Sequence, residues 1–125
     1  MQVFLVEDSP LVRQRLVAMV QAIPNTHVAG TAASADDAVR GILATRPDLV
    51  VLDLQLADGS GFDVLRALHA RAPELEVVML SNHSSYPYRE IAQRFGARGF
   101  FDKTREFERV RDVIIRKGAA HASSH

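Results

Sequence analysis

In this chain of 125 residues, five polar side chains stand at the ends of short apolar runs. Glu7 and Asp8 follow Val3-Phe4-Leu5-Val6, and Asp53 follows Leu49-Val50-Val51-Leu52. Ser81 follows Val77-Val78-Met79-Leu80, and Lys103 closes Gly99-Phe100-Phe101-Asp102. If the runs are parallel strands of one sheet, three acids, a hydroxyl and an ammonium meet at one edge. Crowded carboxylates repel, and their pKa values rise unless a cation offsets them. A hard divalent cation does this. Mg²⁺ suits the site, because it accepts one or two carboxylates, keeps waters and takes phosphate oxygens; Mn²⁺ is the second candidate. An ammonium beside it adds compact positive charge for a phosphoryl oxygen, and a hydroxyl adds a hydrogen bond. A carboxylate beside such a metal can attack phosphorus and form an aspartyl phosphate. Singly, each residue has a plainer reading: a solvated helix start for Glu7-Asp8, a cap for Asp53. The placement of all of them at strand ends carries the argument.

The surrounding pattern supplies those strands. Ser9-Pro10 reads as an N-cap followed by proline at the first helical position. Leu11, Val12, Leu16, Met19, Val20 and Ile23 follow at helical spacing, and Pro24-Asn25 stops the helix. His27 to Ala32 reads as a weaker strand. Ser34 caps a helix through Arg46 whose inner face is Ala38, Val39, Ile42 and Leu43. Leu49 to Leu52 is rich in β-branched residues, as expected of a strand buried on both faces. Ala57 to Gly61 reads as a loop, and Phe62, Val64, Leu65 and Leu68 mark a third helix. After Val77 to Leu80, a loop from Asn82 to Pro87 leads to a helix holding Ile91, Ala92 and Phe95, closed by Gly96. Phe107, Val110, Val113 and Ile114 define a last helix. Five β–α units with short connections predict an α/β fold: a five-stranded, doubly wound parallel sheet with helices on both faces.

Composition narrows the function. Fifteen Lys and Arg balance fifteen Asp and Glu, which removes the excess positive charge that nonspecific nucleic-acid binding needs. There is no cysteine, so disulfides and thiolate-zinc sites are out. No apolar run approaches the roughly 20 residues that span a bilayer. The N-terminus lacks the basic start and long apolar core of a signal peptide. A cytoplasmic protein with no membrane partner and no direct nucleic-acid binding is expected.

The chain resembles the response-regulator receiver domains of two-component signalling. The resemblance runs from Val3 to about Lys117. It rests on Phe4-Leu5-Val6-Glu7-Asp8-Ser9, Asp48 to Leu54, Gly61, Met79-Leu80-Ser81 and Gly96 to Lys103. It implies the flavodoxin-like (βα)5 fold, over 1–117, and a single-domain regulator followed by a short, disordered tail at 118–125. It implies that Asp53 is the phosphoacceptor, that Asp8 binds Mg²⁺ directly and Glu7 through water, and that the Gln55 backbone carbonyl is a further ligand. Lys103 would contact the phosphoryl group and Ser81 would move to hydrogen-bond it. Phe100 matches the family's switch aromatic, which turns inward as the hydroxyl moves; without the family it reads as a core aromatic. The implied phosphodonor is a histidine kinase, a phosphotransfer protein or a small molecule. The implied state is a monomer or a phosphorylation-dependent dimer. Such a chain is a signalling switch, not an enzyme beyond its own phosphorylation and dephosphorylation.

Some positions depart from the family pattern. Glu7 stands where Asp is common, Ala57 where many members have Pro, and Thr104 where Pro often follows the lysine. Asn82 occupies a usually small position, with His83 after it, so access to the acyl phosphate is expected to be narrower. A pseudo-receiver that binds partners without phosphorylation is the alternative. An aspartate-nucleophile phosphatase wants a second Asp at the position of Gln55. A dinucleotide-binding protein wants a Gly-rich loop where Glu7-Asp8-Ser9-Pro10 would repel phosphate. His121 and His125 have metal-capable spacing, but in a run of Gly, Ala and Ser they read as tail. With no room expected for a DNA-reading module, output is assigned to a surface around Tyr88 to Ile115, acting on an unidentified partner.

Overall fold

The computed structural model describes residues 1–83 and 85–123. In chain order the elements are β1 (Gln2–Val6), α1 (Pro10–Gln21), β2 (His27–Ala32), α2 (Ala35–Thr45), β3 (Leu49–Leu52), β4 (Gln55–Leu56), β5 (Gly59–Ser60), α3 (Gly61–Arg71), β6 (Glu76–Ser81), α4 (Tyr86–Arg94), β7 (Gly99–Asp102) and α5 (Phe107–Ser123). Five strands form one parallel sheet in the order β2-β1-β3-β6-β7. From β1 the chain winds first to one side and then to the other. That reversal opens a crevice at the carboxyl ends of β1 and β3.

The apolar runs explain the layering. Side chains of a strand alternate between faces, and here both sets are apolar. Val3, Leu5, Leu49, Val51, Val78 and Leu80 face one side, where Leu16 and Val20 of α1 and Val110 and Ile114 of α5 cover them. Phe4, Val6, Val50, Leu52, Val77 and Met79 face the other, beneath Ile42 of α2, Leu65 and Leu68 of α3 and Ala92 of α4. Burial of each Leu or Ile side chain contributes about 1.5–3 kcal/mol, so the sheet is fixed from both faces. The Ser9 and Ser34 caps form as expected, accepting from Val12 N and Asp37 N.

Three local expectations are corrected. The segment read as a loop, Ala57 to Gly61, supplies the second strand of an antiparallel hairpin that starts before it, with Gln55 paired to Ser60 and Leu56 to Gly59. Its turn residue Asp58 accepts hydrogen bonds from Ala35 N and Asp36 N and so caps α2. Those N–H groups hold the Asp58 carboxyl below its ordinary range. Next, α4 begins at Tyr86, with Pro87 inside its first turn, where a proline lacks no needed donor. Finally, α5 continues through Ser123, past the expected boundary at Gly118. Ala119, Ala120 and Ala122 are strong helix formers that offset that glycine. His125 lies outside the described residues, so the His121/His125 pair has no structural counterpart here.

Candidate functional site

Glu7, Asp53 and Lys103 are each held by a main-chain hydrogen bond to a neighbouring strand. Glu7 N donates to Ala32 O, Asp53 N to Val6 O, and Lys103 N to Ser81 O. The sheet thus positions the side chains through backbone pairing, and their convergence follows from the parallel register. The Arg13 guanidinium of α1 also donates to Glu7 O, at 3.0 Å.

At the centre, Lys103 Nζ lies 2.7 Å from Glu7 Oε1 and 3.0 Å from Asp53 Oδ2. Glu7 is 1% exposed and Asp53 4%. The bond to Asp53 is a well-formed hydrogen bond. The contact to Glu7 is an ion pair, and beyond it this buried oxygen has no hydrogen-bond partner among the described residues. Its other oxygen accepts from Ser9 N at 3.0 Å. Asp53 Oδ1 accepts a long bond from Gln55 N, 3.4 Å.

Burial dominates the electrostatics. It pushes the Glu7 carboxyl up to about 7, against the lowering pull of Lys103 and Ser9 N. Burial raises the Asp53 carboxyl too, opposed by the charge of Lys103. For Lys103, burial pulls downward, but the two carboxylates outweigh it and hold the ammonium above its ordinary value. One ammonium thus serves two desolvated carboxylates, with a third, Asp8, exposed beside them.

That excess of negative charge fits a cation. Glu7, Asp8 and Asp53 each offer a carboxylate oxygen, all within 4.8 Å of one another. Oxygen donors in this number suit Mg²⁺. Glu7 Oε1, which faces only the Lys103 ammonium, is an acceptor that a cation, or water on one, would further satisfy.

The remaining expected residues surround this centre. Ser81 is buried at the end of β6, and its Oγ accepts from His83 N at 3.0 Å. Asn82 and His83 are exposed beside it. Phe100 points inward, 8% exposed. Its ring lies 5.2 Å from the Arg89 guanidinium carbon, and Arg89 Nη1 donates to Phe100 O at 2.8 Å. Arg89 Nη2 also pairs with Glu106 Oε1 at 3.1 Å, and that oxygen accepts from Asp102 N. Those donors, Asp102 N first, hold the Glu106 carboxyl below its usual range.

Sequence reasoning missed the Arg89–Glu106 bridge. Its partners lie 17 residues apart with no local pattern linking them. It also missed an aromatic group beside the site. The Phe62 and Tyr88 rings lie 6.3 Å apart at 19°, and the His83 ring is 5.9 Å from Tyr88. A helical-spacing test assigns Phe62 to the core and says nothing of its exposed edge.

The sheet order and the acidic cluster define a doubly wound α/β signalling domain of receiver type. The chain belongs to the response regulator receiver domain family, whose model matches residues 3–115. It is 38% identical over 102 residues to the DNA-binding transcriptional activator DevR/DosR of Mycobacterium tuberculosis, covering 82% of this chain and 47% of that protein. It is 34% identical over 123 residues to protein-glutamate methylesterase/protein-glutamine glutaminase 2 of Koribacter versatilis, covering 93% of this chain and 34% of that protein. The chain therefore spans less than half the length of both relatives. The signal receiver domain of a putative Luxo repressor protein from Vibrio parahaemolyticus superposes with a TM-score of 0.84 at 26% identity, covering 98% and 94% of the two chains. The BeF3-activated receiver domain of Klebsiella pneumoniae RstA is 26% identical, with a TM-score of 0.76 over 83% of this chain and 86% of that one.

Proposed function

We propose that this chain is a phosphorylation-dependent switch whose phosphoacceptor is Asp53. The observation that carries this is the position of the Asp53 carboxylate, buried at the sheet edge with Lys103 Nζ 3.0 Å away and two further acids beside it. An Asp53 oxygen attacks phosphorus in line, the O–P bond forms, and the donor's bond to phosphorus breaks with its electron pair leaving on the donor. Lys103 then faces a phosphoryl oxygen and neutralises charge that develops there. Mg²⁺, or Mn²⁺, held by Asp8 and Asp53 with Glu7 and the Gln55 carbonyl alongside, would supply further positive charge to those oxygens. Ser81 Oγ already accepts from His83 N, and its hydrogen is the donor suited to the new phosphoryl group.

Phosphorylation replaces one negative charge by about two and adds acceptor oxygens. A bond from Ser81 to that group would draw the segment before α4. Arg89 of α4 grips Phe100 and Glu106, so such a shift would be felt across α4, β7 and the start of α5. Residues 88–115 therefore remain the proposed output surface, within a receiver unit of 1–117. The proposed donors are a histidine kinase, a phosphotransfer protein or a small phosphodonor. The proposed output is a surface change recognised by a protein partner.

The test is intact-mass spectrometry after incubation with acetyl phosphate or phosphoramidate and Mg²⁺. One added phosphoryl group on the wild-type protein, and none on Asp53→Asn, is expected. No gain on the wild-type protein, under conditions that load a control receiver, overturns the proposal.

A further inference from the structure

The β4–β5 hairpin, which carries Gln55, is fastened at both ends. At its base Gly61 N donates to Leu54 O at 2.5 Å, and Gln55 N donates to Asp53 Oδ1. At its tip the exposed Asp58 carboxylate accepts from Ala35 N at 2.5 Å and from Asp36 N at 3.4 Å. Ala57 N adds a long bond to Ala33 O, 3.4 Å, which a proline at 57 would have no N–H to make. The helix does not rely on Asp58 alone for its cap, because Ser34 Oγ accepts from Asp37 N. It is also fixed to the sheet by Ala38 and Ile42, which are fully buried. The hairpin is the weaker partner. Its strands have two residues each, and so short a pair is marginal by itself. The Asp58 bonds therefore order the hairpin against α2.

We infer that Asp58 is a positioning residue for the divalent cation: by pinning the hairpin tip to α2, it holds the Gln55 main chain where its carbonyl can act as a ligand. This rests on the proposed cation site of Glu7, Asp8, Asp53 and the Gln55 carbonyl. A backbone carbonyl has no rotamer with which to adjust. The rigid peptide plane sets its direction. A hairpin free to rock would present that oxygen over a spread of directions, whereas Mg²⁺ demands near-octahedral placement. Ordering the hairpin in advance removes this cost from binding. The coupling is reciprocal. A cation that fixes Gln55 must also steady the tip, and with it the Ala35 and Asp36 N–H groups that Asp58 receives. The first turn of α2, 22 and 23 residues from Asp58 in the chain, thereby carries the state of the acidic site.

The experiment is a Mg²⁺ titration of the whole chain followed by amide chemical shifts, with amide exchange at Ala35 and Asp36 as a second readout. Asp58→Ala should weaken Mg²⁺ about tenfold, the low end of the loss seen when a partner that orients a metal ligand is removed. Asp58→Asn keeps an oxygen for Ala35 N but no charge, and should stay close to the wild-type affinity. That separates positioning from the loss of a negative charge. Ser34→Ala removes the other cap of α2 and should lower Tm while leaving Mg²⁺ affinity unchanged. Mg²⁺ should slow exchange at Ala35 and Asp36 in the wild-type protein, and this response should vanish in Asp58→Ala. Equal affinities in the wild-type protein and Asp58→Ala overturn the inference and leave the cation site standing. An equal loss in Asp58→Asn or Ser34→Ala, or exchange at both amides indifferent to Mg²⁺ in the wild-type protein, also overturns it. A wild-type protein that binds no Mg²⁺ overturns the cation site and the inference together.

Discussion

Gly61 lies directly against the main chain of Asp53. A Cβ at position 61 would overlap the Asp53 carbonyl oxygen and sit 2.9 Å from Leu54 Cα. The first residue of α3 thus packs on the backbone that carries the central carboxylate, and only hydrogen fits between them. Gly61→Ala should therefore push α3 from the end of β3. The expected cost is about 1–3 kcal/mol, as for other overpacked positions. Urea unfolding measures this, and Gly118→Ala, with nothing within 4 Å of its added Cβ, is the matched control.

Burial pushes the Glu7 carboxyl up to about 7 in the folded protein, from an ordinary value of 4.5. Between those values the native state holds more protons than the unfolded chain. Stability of the metal-free protein should therefore fall as pH rises from about 4.5 to about 7. Asp53 is shifted in the same direction and adds to the slope. Urea midpoints without divalent cation, at about pH 5 and about pH 8, check the sign. Glu7→Gln should flatten the profile. A wild-type midpoint no lower at the higher pH contradicts the assignment.

Lys103 is the partner of two buried carboxylates. Lys103→Met should cost about 3 kcal/mol, because it leaves desolvated charge unpaired. Mg²⁺ should recover part of that loss, so its effect on Tm should be larger in the variant than in the wild-type protein. Differential scanning calorimetry with and without Mg²⁺ tests this. Equal Mg²⁺ shifts in the two proteins would mean that the cation does not sit among these acids.

Arg89 joins α4 to Phe100 and Glu106. Arg89→Ala should cost about 1–2 kcal/mol through the lost ion pair, hydrogen bond and ring contact. Amide exchange should quicken at Asp102, whose N–H donates to the Glu106 carboxylate that Arg89 orients. Exchange confined to α4, with Asp102 unchanged, would show that the bridge does not order the turn carrying Lys103.

The sequence alone determined the alternating architecture, because strands buried on both faces must be short, continuous and apolar, as Leu49-Val50-Val51-Leu52 is. It also placed Glu7, Asp8, Asp53, Ser81 and Lys103 at strand ends, since a charged or hydroxyl residue stops such a run. Local rules likewise located the Ser9 and Ser34 caps. The sequence misjudged the Gln55–Ser60 hairpin, whose two-residue strands are too short to show a period. It also ended α5 too early, where helix continuation outweighed a single glycine. Only the tertiary structure decided which oxygens meet Lys103, that Glu7 is buried while Asp8 is exposed, and that Arg89 spans to Glu106. It alone brought Phe62 to Tyr88 beside the site. These relationships join residues far apart in the chain, and their distances depend on sheet register and helix packing, which no local pattern encodes.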